Sequence, residues 1–248
     1  MIFLAVSGAL MGSAMALISG QEEKTRFAQS VRTFEQDLQD IFNDVSTGYY
    51  AAASPENVDF TCSSDDAGLV NIGPGGTAQG KNHGCVFLGK IIKFDVGSAD
   101  YSVYTLVNST NAVKFDEISG KLLGTPATDT QGIVDTSTIQ ADMEVTKIVT
   151  KNPLTDVKGI ALISDFGTLD EVSGNRTGNA ARLTVHEYTG GYANNLVTPA
   201  SLPLTNGGTL ICLQQPGVGG RKASVSIGST GISTIDTVID GWDEECDS

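Results

Sequence analysis

The sequence predicts an α+β protein: a long N-terminal α-helix, part hydrophobic and part amphipathic, packed on an antiparallel β-sheet domain. No Pro interrupts the first 53 residues, where apolar side chains recur at helical spacing. After Ser54-Pro55 the pattern changes to short runs of β-branched and aromatic residues separated by Gly, Asn, Asp and Ser. The chain has 29 Gly, 25 Thr and 21 Ser, a composition that favours strands and turns and excludes a helical bundle for most of its length.

The first element is an uncharged segment, residues 1–20, which at about 1.5 Å of rise per residue can span a bilayer core of about 30 Å. Three interpretations compete: a cleaved signal peptide with a cleavage site at Ala14-Met15-Ala16, a transmembrane anchor, or the hydrophobic half of a longer helix used for assembly. The signal peptide is disfavoured because the segment lacks a basic n-region. Small residues recur at steps of four and favour close packing against neighbouring helices; they are Gly8, Gly12, Ala16 and Gly20.

Residues 21–53 continue the helix with an apolar stripe on one face. Its members alternate at intervals of four and three, and polar residues lie between them. The two halves are predicted to form one rod of about 45–50 residues, about 70 Å long, whose second half packs under the globular domain. The alternative is a membrane anchor joined to a stalk or coiled coil. The stripe residues are Phe27, Val31, Phe34, Leu38, Ile41 with Phe42, and Val45.

Residues 54–248 are predicted to form the β-rich globular domain, built of antiparallel β-sheet. Gly73-Pro74-Gly75-Gly76 and Asn206-Gly207-Gly208 are predicted turns. Residues 108–140 are rich in Thr, Ser and Asp with little periodicity, which predicts a long surface excursion between strands. The predicted strands are 58–62, 85–96, 101–107, 144–151, 157–164, 181–188, 209–214, 222–227 and 231–239.

The four cysteines fall in two pairs along the chain, Cys62 with Cys85 and Cys212 with Cys246. Their even number, their local pairing and the adjacent export-type segment favour disulfides in an oxidising compartment, with three connectivities open. Free thiols are the alternative for either pair. Zinc is disfavoured because the spacings of 22, 126 and 33 intervening residues contain no CxxC.

The charge of the chain disfavours binding to polyanions. Its 15 basic and 29 acidic residues give a net charge of −14, which repels nucleic acid and anionic lipid headgroups. Arg221-Lys222 is the strongest basic pair, and the nearby C-terminal tail is acidic. We therefore expect no nucleic acid among the partners.

The sequence shows no constellation of catalytic residues, and we expect a protein that is not an enzyme. His83 lies in a Gly/Asn turn and His186 in an alternating strand, where each is predicted to be solvated or on a sheet face. Nucleophile-elbow, zinc-protease and phosphate-loop motifs do not occur. No cofactor is expected; a weak Ca²⁺ candidate at the acidic tail, Asp236, Asp240 and Asp247, fits an EF-hand loop poorly.

The uncharged helix ends near Gln21-Glu22-Glu23-Lys24 and runs into TRFAQSVRTFEQDLQDIFNDVSTGYY before a β-rich carboxyl domain. This arrangement resembles the minor pilins and pseudopilins of type IV pili and type II secretion systems, and in particular the GspH/FimT family. Strand 210–214 with its Cys212, the Gly220-Arg221 turn and the hairpin at 228–231 resemble the end of that family's domain. Residues 85–90 resemble the strand that opens its first sheet.

The resemblance covers the helix specifically and the sheet loosely. The family's basic leader, its Gly-Phe processing junction and its early helix glutamate do not occur in this sequence. The start of this sequence resembles the middle of the N-terminal helix of that family, so we expect about the first eight mature residues to be missing.

The resemblance implies a pilin-like fold and a filament subunit that is held in the membrane by its helix before assembly. Its partners would be other pilin or pseudopilin subunits and, before assembly, membrane lipid. It would be a single-pass membrane protein with an extracytoplasmic domain. A membrane-anchored surface binding protein or adhesin is the second hypothesis, and a secreted β-rich hydrolase the third.

Overall fold

The computed structural model of the protein describes residues 2–47, 60–64, 70–74, 85–109, 125–126, 134–152, 154–165, 182–190, 205–217, 220–228, 235–241 and 244–247. In the helix, side chains are described from Gln21 onward, and three short strands, β1, β2 and β5, are described by their backbone. Helix α1 is Ile2–Thr47, and a short 3-10 helix is Glu244–Cys246. The strands are β1 Phe60–Ser64, β2 Val70–Pro74, β3 Cys85–Phe94, β4 Asp100–Ser109, β5 Thr125–Pro126, β6 Val134–Thr138, β7 Glu144–Asn152, β8 Leu154–Asp156, β9 Gly159–Asp165, β10 Arg182–Tyr188, β11 Asn206–Gln214, β12 Lys222–Ile227 and β13 Ile235–Ile239.

Helix α1 is 46 residues long and runs through both predicted halves without a break. Its last turn is closed by side chains: the hydroxyls of Ser46 and Thr47 donate to the carbonyl of Asn43 at 2.9 and 2.8 Å. Thr25 and Thr33 make the same kind of bond to the carbonyl four residues earlier within the helix. The described helix reaches Thr47, and residues 48–53 of the predicted helix lie outside the described part of the chain.

The described strands form two main antiparallel sheets and a separate hairpin of β1 with β2. Sheet I has the order β10-β9-β3-β4, and both β5 and β6 pair with the outer edge of β4. Sheet II has the order β13-β12-β11-β7-β8. The predicted α+β class with an N-terminal helix and antiparallel strands is therefore confirmed, and the described strands of the domain divide into two main sheets.

The two sheets are joined where the β3–β4 turn meets β7. The amide of Gly97 donates to the carbonyl of Val145 at 2.8 Å, and the amide of Val145 donates to Ser98 at 2.9 Å. The sequence pattern could not show this division, because strand periodicity identifies the buried face of a strand and not the sheet to which it belongs.

The main apolar core of the described residues lies between the sheets and the helix. β12 shows how the pattern builds it: Ala223, Val225 and Ile227 lie in the core, while Ser224 and Ser226 alternate with them and face away. The other core residues come from the helix and from both sheets; among them are Phe87, Ile92, Phe94, Tyr101, Val103, Val145, Ile148, Ile160, Leu162, Val185, Ile211 and Leu213.

The predicted long excursion at residues 108–140 is wrong in part. β4 continues to Ser109, and both β5 and β6 pair with it. β6 was missed because its sequence, VDTST, has one large apolar residue and lies half-exposed at a sheet edge. The short strands β2 and β8 were missed as well, and every described residue of β8 is exposed.

The predicted turn at Asn206-Gly207-Gly208 is the first part of β11, where a bulge shifts the register between Asn206 and Thr209. Gly207 and Gly208 have φ values of 96° and 93°, a left-handed conformation that Gly adopts without steric cost. Likewise, Gly73 and Pro74 of the other predicted turn belong to the end of β2. In both places residues of a predicted turn belong to a strand, and in β11 they form a bulge.

Gly159 provides a test of the close strand pairing in sheet I. A Cβ atom at this position would overlap the carbonyl oxygen of Ile92 on β3. We expect Gly159→Ala to lower the free energy of unfolding by about 2–4 kcal/mol, because the paired backbone must separate. Gly241→Ala is the matched control, since its Cβ would meet only Val238 Cγ1 at 3.9 Å. Equal unfolding midpoints in urea for the two variants would contradict this pairing.

Candidate functional site

The second half of helix α1 forms the wall that closes the core, and it is the candidate functional surface. Six predicted stripe residues are buried, each with no more than 5% of its surface exposed, and Ile41 packs against them partly buried. The helix contacts β3, β9 and β10 of sheet I and β13 of sheet II. The six residues are Phe27, Val31, Phe34, Leu38, Phe42 and Val45.

The centre of this contact is aromatic. The ring of Phe34 lies edge-on to Phe94 and Tyr101, with centroid distances of 6.1 and 5.6 Å. The Tyr101 hydroxyl donates to Asp37 Oδ2 at 3.3 Å on the next turn of the helix. Burial raises the pKa of Tyr101 to about 12, so this hydroxyl stays protonated and remains a donor at physiological pH. The arrangement fixes the helix both laterally and along its axis.

A nearly buried lysine holds the C-terminal end of the helix. Lys90 Nζ on β3 lies 2.6 Å from Asp44 Oδ2, and only 9% of the Lys90 side chain is exposed. Leu162 and Thr105 lie opposite Lys90 on the two neighbouring strands, and neither carries a charge, so Asp44 supplies the countercharge that a desolvated ammonium group needs.

An ion-pair cluster lies where the helix leaves the core. Asp240, directly after β13, accepts from Lys24 at 2.7 Å and from Arg221 at 3.2 Å. The hydrogen bond from Lys24, with a further one from Arg221, lowers the pKa of Asp240. Asp240 has a φ of 63°, a left-handed conformation that Asp tolerates better than most residues. These three residues link the helix to the end of sheet II.

Buried Ser30 makes a further polar contact between helix and domain. Its hydroxyl donates to the carbonyl of Gln140 at 2.7 Å. Gln140 precedes β7, so this bond ties the helix to the segment that connects the two sheets. Because the hydroxyl has a partner, the serine interrupts the apolar stripe without leaving an unpaired polar group in the core.

The predicted assembly residues Gly8, Gly12, Ala16 and Gly20 all lie on α1, where a step of four keeps them on one face. Their side chains, with the rest of residues 1–20, lie outside the described part of the protein. Among the described residues, no helix is both long enough and apolar enough to cross a membrane.

Cys212 on β11 and Cys246 in the 3-10 helix form a disulfide, with Cα atoms 5.9 Å apart. This linkage was one of the two predicted. Cys62 lies on β1 and Cys85 begins β3, and these two strands contact each other. The side chains of Cys62 and Cys85 lie outside the described residues, so their pairing stays a prediction.

The three carboxylates of the weak Ca²⁺ candidate do not converge. Asp240 is paired with Lys24 and Arg221, and Asp247 lies 3.4 Å from Lys222. Asp236 points away from the core on the exposed face of β13. Each of the two paired carboxylates therefore already has a cation beside it, and no cluster of three or more metal-ligating side chains occurs within the described ranges.

Of the two histidines, one lies among the described residues. His186 is buried on β10, with Nε2 2.9 Å from Thr184 Oγ1, while His83 lies outside the described residues. The next residue, Glu187, points to the opposite face of β10. Burial raises the pKa of its carboxyl group, and a hydrogen bond with Thr150 acts in the opposite direction. His186 and Glu187 therefore do not form an acid-base pair.

Sequence reasoning missed the polar contacts that orient the helix. Lys90 interrupts the apolar run CVFLGKIIKF of β3. It is two residues from Ile92, which lies in the core, so both share one face of the strand, and this spacing was the available signal for a buried charge. Asp44 gave no such signal, because acidic residues occur at many positions on the same helix.

No protein-family model matches this chain, and no curated protein or solved structure is significantly similar to it. The likeness to minor pilins accordingly rests on the sequence features quoted above.

The Lys90–Asp44 pair can be tested with Asp44→Asn, which leaves the Lys90 ammonium group without its countercharge. We expect a loss of about 1–3 kcal/mol in the free energy of unfolding, measured by urea denaturation. Asp40→Asn, at an exposed position of the same helix, is the control and should change little. Removing an acidic residue near a helix C-terminus is by itself slightly favourable, so a loss can be assigned to Lys90.

Adding Lys90→Met to the Asp44→Asn variant should restore most of the lost stability, because an apolar side chain needs no countercharge. If Asp44→Asn behaves like Asp40→Asn, the ion pair does not fix the helix end.

Proposed function

We propose that this protein is a filament subunit of the minor pilin or pseudopilin type, which assembles through its N-terminal helix and displays the β-domain outward. The observation that carries the proposal is one unbroken helix, Ile2–Thr47, with two chemically different halves. Its second half closes the core of the domain, and its first half has no charged residue. A pilin subunit needs one helix that both completes its own domain and contacts the membrane or neighbouring subunits.

The helix changes from its uncharged half to the half that packs on the domain within a short stretch. Residues 21–26 are all exposed, and the first described helix residue in the core is Phe27. About 30 Å of helix precede this stretch, long enough to cross a bilayer core or to pack along neighbouring helices in a filament. The six stripe residues belong to the described core, and the proposal assigns the uncharged half to a partner outside the domain.

The small residues of the uncharged half favour other helices as that partner. Gly8, Gly12, Ala16 and Gly20 lie on one face, and small residues at steps of four allow two helix backbones to approach closely. A lone membrane anchor requires only apolar length. We therefore favour assembly over the stand-alone anchored binding protein and assign no catalytic role to the chain.

The placement of the domain outside the cytoplasm is part of the same proposal. The Cys212–Cys246 disulfide is of the kind that persists in oxidising compartments. The excess of acidic residues suits a surface that stays hydrated and does not bind polyanions.

Replacing Gly12 with Leu in the full chain tests the assembly surface. We expect Gly12→Leu to reduce the amount of protein recovered in filaments sheared from cells, because the larger side chain blocks close helix approach. Ala14→Leu is the matched control, since residue 14 lies about 200° around the helix from residue 12. Both variants should enter the membrane fraction normally and keep the thermal unfolding temperature of the unaltered protein.

If Gly12→Leu is incorporated as well as Ala14→Leu, close packing through this face is wrong. If neither the variants nor the unaltered protein is found in sheared material while all remain in membranes, the anchored binding protein becomes the better account.

A further inference from the structure

The C-terminal tail lies on the face of sheet II that points away from the core. On β11, Leu210 and Cys212 alternate with core residues and so face outward. Val149 on β7 lies opposite Leu210, and Ser224 on β12 lies opposite Cys212. These four side chains form an outward strip across three neighbouring strands, and each is at most 1% exposed.

The cover over this strip includes the 3-10 helix Glu244–Cys246, which contacts β7. Cys246 packs with Val149, Leu210 and Cys212 in a buried cluster that is separate from the main core. We call residues 244–247 the strap. An outward sheet face that would otherwise present apolar side chains to water is thus covered by the end of the chain.

The disulfide is the covalent tie that holds the strap down. Cys246 is its buried residue, whereas Glu244 and Asp247 are exposed and Glu245 is half-buried. The ion pair between Lys222 and Asp247 is 3.4 Å long and exposed, so it holds the strap only weakly.

One buried group on the strip, opposite the Cys212 to which the strap is bonded, favours its opening. Ser224 is 1% exposed, and its hydroxyl has no hydrogen-bond partner among the described residues. A hydroxyl that is removed from water without a replacement bond destabilises the closed state, and opening lets water reach it again. The covalent tie therefore acts against a local bias towards release.

We propose that the Cys212–Cys246 disulfide is the lock of a redox-sensitive strap, and that its reduction frees residues 244–247 and uncovers the apolar strip of Val149 and Leu210. A dithiol reductant supplies the two electrons. One of its thiolates attacks a sulfur of the disulfide and the second thiol resolves the mixed disulfide, leaving two protein thiols and an oxidised, cyclic reductant. The inference does not depend on the filament proposal.

The first test uses the full chain with Cys246→Ala, which removes the bond and keeps an apolar side chain. Cys212 is fully buried in the closed state, so its alkylation by iodoacetamide without denaturant reports opening of the strap. We expect alkylation within about tenfold of the rate in urea-unfolded protein, while the thermal transition stays cooperative. Adding Ser224→Ala should slow alkylation several-fold, because it removes the unpaired hydroxyl.

The second test needs no variant. Dithiothreitol is added to the folded, unaltered protein, and hydrogen exchange is followed by peptide. We expect faster exchange at residues 244–247, with retained protection of the strands of sheet I and of β12.

Protection of Cys212 by more than about a hundredfold in the Cys246→Ala variant would overturn the proposal, since the strap would then stay closed without its lock. Loss of protection throughout both sheets on reduction would also overturn it, by showing that the disulfide staples the whole fold. Resistance of the bond to dithiothreitol in folded protein would have the same consequence.

Discussion

The structure depends on the apolar stripe of helix α1, because neither sheet closes the core without it. Residues from both sheets meet in one cluster, and six fully buried helix side chains complete it. At about 1.5–3 kcal/mol for each buried side chain, their combined transfer free energy is comparable with the net stability of about 5–15 kcal/mol typical of a domain. The helix is therefore part of the domain and not a stalk attached to it.

Polar contacts then determine how the helix lies on this core. Lys90 with Asp44 holds one end, Lys24 with Asp240 holds the other, and Ser30 bonds to the segment between the sheets. Exposed pairs such as Lys24–Asp240 contribute little net stability. Their value lies in orientation: an apolar stripe alone would tolerate sliding and rotation, whereas paired charges fix register. For the filament role that we propose, a defined helix direction would set how the uncharged half meets identical or related neighbours.

The sequence allowed the helix, its buried stripe and most strands to be predicted, because each depends on periodicity within one element. At the end of β3, for example, the predicted strand ran to residue 96, close to the observed end at Phe94. The division into two sheets and the edge strand β6 could not be predicted, since they depend on contacts between distant segments and on short polar side chains. Of the site, the stripe was predictable, whereas the pairing of Lys90 with Asp44 required the fold to bring residues 46 positions apart together.

The most direct measurement compares Leu38→Asp with Gln36→Asp, which place the same charge on the buried and the exposed faces of the helix. Urea unfolding followed by peptide-resolved hydrogen exchange reports both sheets at once. If the helix closes a shared core, Leu38→Asp lowers the free energy of unfolding by about 3–5 kcal/mol and sheets I and II lose protection together, while Gln36→Asp changes little. A similar small effect for both variants, or loss confined to one sheet, would contradict the account.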